Sequence, residues 1–125
     1  MNVVDSSAWL EYFAGTPAAE PFAPALEDTR RLLVPAVTLY EVFKRVWQQR
    51  DETAALRAVA LMRQGEVIPL DAALAVAAAR LGAEHKLPLA DALIYATTRL
   101  RDATLWTQDE HFDGLPAVKF YKKRK

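Results

Sequence analysis

Short apolar runs alternate with helical segments along this chain, and this alternation limits the folds that the chain can adopt. The runs that predict strands span residues 2–4, 31–34, 67–70, 104–106 and 117–121. Between them lie segments with a helical pattern, the clearest of which covers residues 37–50 with its hydrophobic positions on one face. Strands that alternate with helices predict a parallel sheet with helices on both faces. We therefore expect a three-layer α/β/α fold around a central parallel sheet of four to five strands.

Prolines and helix caps set the expected limits of the less regular helices. Residues 18–28 are expected to be helical despite their two prolines. Residues 87–89 predict a loop, so Asp91 is expected to open the helix that covers residues 92–100. Asp71 is expected to cap the Ala-rich helix that precedes this loop.

The composition favours a single folded domain. At 125 residues the chain is long enough to bury a core, and we expect residues 1–125 to form one domain. The absence of cysteine excludes disulfides, thiolate metal sites and a cysteine nucleophile, and it suits a reducing compartment. The N-terminus does not resemble a signal peptide, and no apolar run reaches the roughly 18 residues of a membrane span. A cytoplasmic protein without a membrane segment is expected.

The charges are unevenly distributed although the formal net charge is zero. Five of the sixteen basic residues lie in residues 119–125, and no acid follows Asp113. Residues 1–118 therefore hold eleven bases and sixteen acids, a formal charge of −5. An acidic body suits a metal site, and a basic C-terminal strand or tail suits contacts with phosphate, although a lysine-rich terminus can also simply aid solubility.

Four acids lie at or near places where a predicted strand ends or a predicted helix begins: Asp5, Glu41, Asp91 and Asp109. In a parallel α/β fold these places converge on one edge of the sheet. Carboxylates that are brought together repel one another unless a hard cation neutralises them. The pattern therefore predicts a site for Mg²⁺ or Mn²⁺, and bound divalent metals most often act on phosphate esters.

Each of these acids also has a structural explanation when it is considered alone. Asp5 and Asp91 could cap helices, and Asp109 could form an Asx turn. Glu41 could form a surface ion pair with Arg45, four residues further along its helix. The apolar residues around Asp91 favour a partner such as a metal, because a carboxylate is costly to bury alone.

Other residues near the acids are assigned supporting roles or none. Thr107 could orient a neighbouring carboxylate or a water molecule. Glu110 and Asp113 are alternatives to Asp109 as the fourth acid. One histidine near carboxylates is a weak sign of a metal ligand, so His111 is not placed in the site. Neither a glycine-rich nucleotide loop nor a serine–histidine relay is present, which argues against nucleotide-binding and serine-hydrolase functions.

Four segments in order resemble the motifs of PIN domains, specifically the VapC-type toxin ribonucleases of bacterial toxin–antitoxin pairs. These segments are Val3–Ser7, Val37–Glu41, Leu89–Ala96 and Leu105–Phe112. Each motif is short, but all four occur in order, at the distances that the family shows, and the resemblance spans nearly the whole chain. Asp5, Glu41, Asp91 and Asp109 then correspond to the acidic quartet of the family.

The resemblance implies a catalytic function and a set of partners. It implies an endoribonuclease that uses one or two Mg²⁺ ions, with Mn²⁺ as a substitute. Ser6 and Thr107 match the supporting hydroxyl positions, and Asp113 stays in reserve as the fourth acid. The family also implies a cognate antitoxin that lies along the early helices, and a homodimer. We expect the aromatic residues of these helices to serve that contact, the alternative being that they simply pack in the core: Tyr12, Phe13, Phe22, Tyr40, Phe43 and Trp47.

The basic residues are candidates for contacts with the RNA backbone. They are Lys44, Arg45, Lys119, Lys122, Lys123 and Arg124. The main alternative is a non-catalytic PIN-like module that binds RNA or protein. A phospho-acceptor receiver domain fits less well, because the second acid of the cluster lies within a helix.

Overall fold

A five-stranded parallel sheet forms the centre of the computed structural model, which describes residues 1–123. Its strands follow the order β3-β2-β1-β4-β5, and every neighbouring pair is parallel. They are β1 (Asn2–Val4), β2 (Leu32–Pro35), β3 (Glu66–Ile68), β4 (Thr104–Thr107) and β5 (Val118–Phe120). The sheet confirms the predicted fold class. The predicted strand positions agree with it to within one or two residues.

Within residues 1–123, six α-helices lie between β1 and β4 along the chain. They are α1 (Ser6–Ala14), α2 (Ala23–Glu27), α3 (Ala36–Gln49), α4 (Glu52–Met62), α5 (Ala72–His85) and α6 (Leu89–Leu100). Short 3-10 turns cover Pro17–Phe22, Thr29–Arg31 and Glu110–Phe112. Among residues 1–123, no helix combines the length and the apolar character that crossing a bilayer requires.

The segment 18–28 is less regular than the sequence predicts. It divides into a 3-10 helix and the short helix α2, with Pro21 inside the first and Pro24 in the first turn of the second. Proline has no backbone N–H to donate to the preceding turn, and its ring crowds that turn. One continuous α-helix is therefore replaced by two short pieces.

The start of α6 also differs from the prediction. The helix begins at Leu89 rather than Ala92, and Pro88 occupies the N-cap position with an extended ψ of 161°. Asp91 thus lies within the first turn and is not the cap. The prediction for α5 is confirmed, because the Asp71 carboxylate accepts a hydrogen bond from the Leu74 N–H at 2.8 Å.

The strands are apolar on both faces because helices cover both sides of the sheet. Val4 and Val34 pack in a cluster with residues of α1 to α4. Val3 and Leu33, which point to the opposite face, pack with Ile94 of α6. The sheet is thus held between two hydrophobic layers, and its carboxyl edge is left to the connecting loops and helix starts.

Candidate active site

The carboxyl edge of the sheet brings all four predicted acids to one cavity. The cavity has a volume of about 290 Å³ and is lined by Asp5, Ser6, Ser7, Leu10, Glu41, Arg45, Asp91, Ile94 and Asp109. Asp5 directly follows β1 and Asp109 lies two residues beyond β4, and these two strands are neighbours. Glu41 reaches the cavity from α3 and Asp91 from the first turn of α6. Acids that lie far apart in the sequence therefore line one small volume.

Asp5 is the most deeply buried acid of the cavity, with 4% of its surface exposed. Its carboxylate accepts hydrogen bonds from the Thr107 hydroxyl at 2.8 Å, the Ser7 hydroxyl at 3.2 Å and the Ala8 N–H at 3.3 Å. The last of these bonds makes Asp5 the N-cap of α1. Burial raises the pKa of Asp5 to about 6, because the hydrogen bonds offset only part of the cost of removing its charge from water. Asp5 is therefore both a helix cap and a member of the acidic cavity.

Thr107 connects two of the acids. Its hydroxyl is fully buried, donates to Asp5 Oδ2 and accepts the backbone N–H of Asp109 at 2.9 Å. A hydroxyl can donate and accept at the same time, which a carboxylate or a methyl group cannot do. Thr107 thus fixes the distance between the end of β1 and the loop after β4.

Glu41 is held by a hydroxyl rather than by a cation. The Ser6 Oγ donates to Glu41 Oε1 at 2.5 Å, a contact that joins α1 to α3. Among the ion pairs within residues 1–123, none joins Glu41 to Arg45. Both side chains instead line the cavity. The surface ion pair that the helix spacing suggests is therefore absent from the described part of the chain, and Glu41 faces the other acids.

His111 joins Asp91 and Asp109 at the outer part of the cavity. Its Nδ1 lies 2.9 Å from Asp91 Oδ2 and 3.4 Å from Asp109 Oδ1. Burial raises the pKa of Asp91, while the hydrogen bond with His111 lowers it by a smaller amount. The hydrogen bond to Asp91, together with the charge of Asp109, raises the pKa of His111.

The sequence interpretation left His111 out, and the structure places it among the acids. Its contact with Asp91 spans twenty positions, which no local pattern reveals. The available signal was its place two residues after Asp109, within the turn that brings it back toward the acids.

The donor set fits a hard divalent cation. One ligand atom each from Asp91, Asp109 and His111 lies within 4.8 Å of the other two. Carboxylate oxygens are the ligands that Mg²⁺ and Mn²⁺ prefer, and an imidazole nitrogen is acceptable to Mn²⁺. The raised pKa values of Asp5 and Asp91 show that the protein itself supplies too little positive charge to offset their burial. Asp91, Asp109 and His111 are thus suited to hold such an ion, and Asp5 and Glu41 line the cavity beside them.

Asp113 lies apart from this group. It is exposed and follows the turn Glu110–Phe112, with its own N–H donating to the Glu110 carbonyl. The lining residues found within residues 1–123 include Asp109 and leave out Asp113.

The candidate RNA contacts fall into two groups. Arg45 lines the acidic cavity, and Lys123 lines an adjoining recess of about 450 Å³ that shares Ser7 and Asp109 with it. Lys44 and Lys119 contact aromatic rings, with their Nζ atoms 5.7 Å from the Tyr40 centroid and 4.3 Å from the Trp106 centroid. Lys122 is exposed, and Arg124 lies outside the described residues.

Aromatic side chains of α3 are exposed on another face of the molecule. Tyr40 is 62% and Trp47 53% exposed, and both line a recess of about 790 Å³ with Phe43. Phe22 does not belong to this surface, because it is 1% exposed within the core. The expectation that the aromatic residues of the early helices form one contact surface is therefore wrong for Phe22.

Comparison with known families identifies the class of protein. A family model described as the PIN domain matches residues 3–118. The chain therefore belongs to the PIN domain family, and the four acids of its cavity lie within the matched residues.

Several solved structures with the same fold are toxins or toxin–antitoxin complexes. A toxin–antitoxin complex from Klebsiella pneumoniae is 24% identical with a TM-score of 0.82, and the match covers 95% of this chain and 96% of that one. Mycobacterium tuberculosis VapC20, a sarcin–ricin loop cleaving toxin, is 20% identical with a TM-score of 0.78, over 94% and 97% of the two chains. DNA-bound VapBC from Salmonella typhimurium is 18% identical with a TM-score of 0.75, over 96% of each chain. A search of curated proteins gave no match. At these identities the structures establish a shared fold.

Proposed function

We propose that this chain is a cytoplasmic Mg²⁺-dependent endoribonuclease and the toxin of a toxin–antitoxin pair. The observation that supports the proposal most directly is the convergence of Asp5, Glu41, Asp91 and Asp109 on one cavity of a PIN domain. The shared fold with the Klebsiella and Mycobacterium structures supports the toxin assignment.

The four acids would hold one or two Mg²⁺ ions, or Mn²⁺ in their place. Such an ion, when bound, supplies a Lewis acid for a phosphate oxygen and lowers the pKa of a bound water. Thr107 keeps Asp5 and Asp109 in register, and Ser6 keeps Glu41 turned toward the cavity. Hydrolysis by water would leave a 5′-phosphate and a 3′-hydroxyl, without a role for the RNA 2′-hydroxyl.

The cations at the cavity rim would position the RNA backbone. Arg45 and Lys123 are closest to the acids, because they line the acidic cavity and its adjoining recess. Lys44, Lys119 and Lys122 would contact more distant phosphates, and Arg124, which lies outside the described residues, is a further candidate. An acidic cavity repels a polyanion, so rim cations of this kind are needed to bring a phosphodiester to it.

The test is cleavage of a total-RNA pool by the purified chain in Mg²⁺, in EDTA and after the substitution Asp91→Asn. We expect cleavage only by the intact protein with metal. Asp102→Asn is the matched control, because Asp102 is exposed at the opposite end of β4 in a turn with φ 49° that asparagine adopts easily. Full activity of Asp91→Asn would remove Asp91 from the site. A folded, metal-binding chain that cleaves nothing would favour the non-catalytic binding module.

The fourth acid is tested in the same assay by comparing Asp109→Asn with Asp113→Asn. We expect loss of cleavage only in the first, since Asp109 lines the cavity and also shares His111 with Asp91. The reverse result would assign the fourth position to Asp113.

The partner proposal concerns the exposed side of α3. An amphipathic antitoxin segment would cover Tyr40 and Trp47, which are too exposed to serve the core. Trp47→Ala is expected to abolish co-purification with a co-expressed cognate antitoxin, while Leu56→Ala, which changes an equally exposed apolar residue of α4, is the control. If both variants retained the antitoxin equally, the antitoxin would have to bind another surface of the chain.

The homodimer proposal concerns α5 and α6. Leu89 is 78% exposed and borders an apolar recess of about 430 Å³ between these helices. We expect sedimentation of the intact chain as a dimer and of Leu89→Glu as a monomer. A monomeric intact chain at micromolar concentration would contradict the dimer.

A further inference from the structure

We propose that His111 is a direct metal ligand, and that it gives the site a preference for divalent first-row transition ions such as Mn²⁺ over Mg²⁺. The proposal deepens the function proposed above and rests on its metal site. It adds a nitrogen donor to a site that the sequence motifs describe by carboxylates alone.

The position of the imidazole nitrogen is the first support. The Nδ1 of His111 is 2.9 Å from Asp91 Oδ2 and 3.4 Å from Asp109 Oδ1. Two ligands at right angles around an ion, each at about 2.1 Å from it, are separated by about 3 Å. Without an ion, Nδ1 carries a proton and donates it to Asp91 Oδ2, since a carboxylate only accepts hydrogen bonds; loss of that proton on metal binding would free the lone pair of the same nitrogen, on the side of the ring that faces the two acids. The three side chains are thus spaced as neighbouring ligands of one ion.

The backbone around His111 is the second support, because the turn keeps this residue beside Asp109 before any ion binds. The His111 N–H donates to Asp109 Oδ1 at 2.9 Å, and the Phe112 N–H donates to the Asp109 carbonyl at 3.1 Å. Phe112, the next residue, is fully buried and anchors the turn in the core. On a free loop, the backbone around a histidine would lose conformational freedom when a metal binds. Here the turn has already restricted that backbone, so less entropy is lost on binding.

The chemistry of the donors gives the preference. Mg²⁺ selects oxygen ligands and keeps several waters, while imidazole binds transition ions well. A site of carboxylates alone would treat Mg²⁺ and Mn²⁺ as similar hard ions. The imidazole of His111 adds affinity for Mn²⁺ that Mg²⁺ cannot use equally.

The experiment is pulsed electron paramagnetic resonance of Mn²⁺ bound to the full chain, prepared without a histidine tag. A nitrogen bonded to Mn²⁺ produces a ¹⁴N modulation of the spin echo, which carboxylates do not produce. The chain has two histidines, so His111→Gln and His85→Gln form a matched pair. His85 lies in the last turn of α5, with its ring edge-on to Tyr95, outside the cluster of possible ligands. We expect the modulation in the intact chain and in His85→Gln, and its loss in His111→Gln.

Titration calorimetry of the same proteins gives the preference directly. His111→Gln is expected to weaken Mn²⁺ binding about tenfold and Mg²⁺ binding less than about threefold. Mn²⁺ bound to the intact chain without ¹⁴N modulation, or an absence of Mn²⁺ binding, would overturn the proposal. RNA cleavage without the nitrogen signal would refute His111 alone, whereas the signal without RNA cleavage would refute the proposed reaction alone.

Discussion

The acids of the cavity and the side chains that contact them form an inner half and an outer half, which are built differently. The inner half, made of Asp5, Ser7 and Thr107, is closed by hydrogen bonds to backbone and hydroxyl groups. The outer half, made of Asp91, Asp109 and His111, is part-exposed, and His111 has 57% of its side chain in solvent. The inner half is formed by strand ends and the outer half by a helix start and a turn.

This difference separates two tasks that a metal-dependent site must perform. The inner half positions one carboxylate within the core, where a charge is costly and movement is restricted. The outer half can exchange water and ligands, because its groups reach solvent. A buried carboxylate without a cation lowers the stability of the fold. The loss of folding free energy caused by the site therefore arises in the inner half, whereas water and ligands reach the site through the outer half.

The largest expected effect comes from breaking the inner half with Asp5→Asn. We expect RNA cleavage in Mg²⁺ to fall by about 10³-fold or more, which corresponds to roughly 4 kcal/mol of lost transition-state stabilisation. Asparagine still caps α1 by accepting the Ala8 N–H, so the helix should form normally. Single-turnover cleavage measures the loss, and circular dichroism checks the fold. Activity within tenfold of the intact chain would show that the outer half alone supports catalysis.

The next effect concerns stability without metal, as a function of pH. The pKa of Asp5 is about 6 in the folded chain and near 3.8 when unfolded, so the folded state binds more protons between these values. Asp5 should therefore lower the free energy of unfolding in EDTA by roughly 3 kcal/mol as the pH rises from about 3 to about 7, and the raised pKa of Asp91 adds a fall of the same sign. Asp5→Asn should remove the contribution of Asp5 to this pH dependence. The variant should also be more stable than the intact chain at pH 7 without metal.

Denaturant titrations of the intact chain and of Asp5→Asn at several pH values give the free energy of unfolding of each. The difference between the two free energies reports the contribution of Asp5 alone. His111 affects stability in another pH range. Because its pKa is raised in the folded chain, its stabilising contribution is lost only as the pH rises above 6.5, the pKa of the unfolded residue. Parallel stability curves for the intact chain and Asp5→Asn would mean that the carboxylate of Asp5 is not destabilised by burial.

A smaller effect is expected from disconnecting the two halves with Thr107→Val. Valine matches the shape of threonine but leaves the Asp109 N–H without its acceptor and removes one donor from Asp5. Because Thr107 is fully buried, we expect a loss of about 2 kcal/mol in unfolding free energy, measured by thermal or chemical denaturation. Thr107→Ser keeps the hydroxyl and should lose less than half of this amount. Equal losses in both variants would assign the role of Thr107 to packing.

The inner half could be predicted from sequence because its signals are local. A short apolar run ends at Asp5 and another ends just before Thr107, and parallel strands bring such ends to one edge. The same reasoning predicts the fold class, since the periodicity of hydrophobic residues that distinguishes strands from helices is a local property of the sequence. Asp91 was assigned to a helix start correctly, but its helix begins three residues earlier because Pro88 is tolerated at the N-cap position.

The contacts that hold the acids in place could not be predicted in the same way, because they join segments that are distant in the sequence. His111 meets Asp91 across twenty residues, and Ser6 meets Glu41 across thirty-five. The helix spacing that suggested a Glu41–Arg45 pair is correct as a distance along α3 but does not say which way Glu41 turns. The exposure of Trp47 and the burial of Phe22 likewise follow from packing that the helix pattern alone does not specify.

The smallest effect is expected from removing the charge of Lys123 at the rim of the outer half. Lys123 lines the recess beside Asp109 and His111. A single phosphate contact contributes about 0.7 to the slope of log affinity against log salt for single-stranded nucleic acid. We expect Lys123→Ala to lower that slope by about this amount and to reduce subsaturating cleavage two- to fivefold at low salt, with the maximal rate unchanged. Arg80→Ala, which removes an exposed charge from α5, should leave the slope unaltered. An equal change in both variants would show that Lys123 acts only through net charge, whereas a fall in maximal rate would place it among the reacting groups.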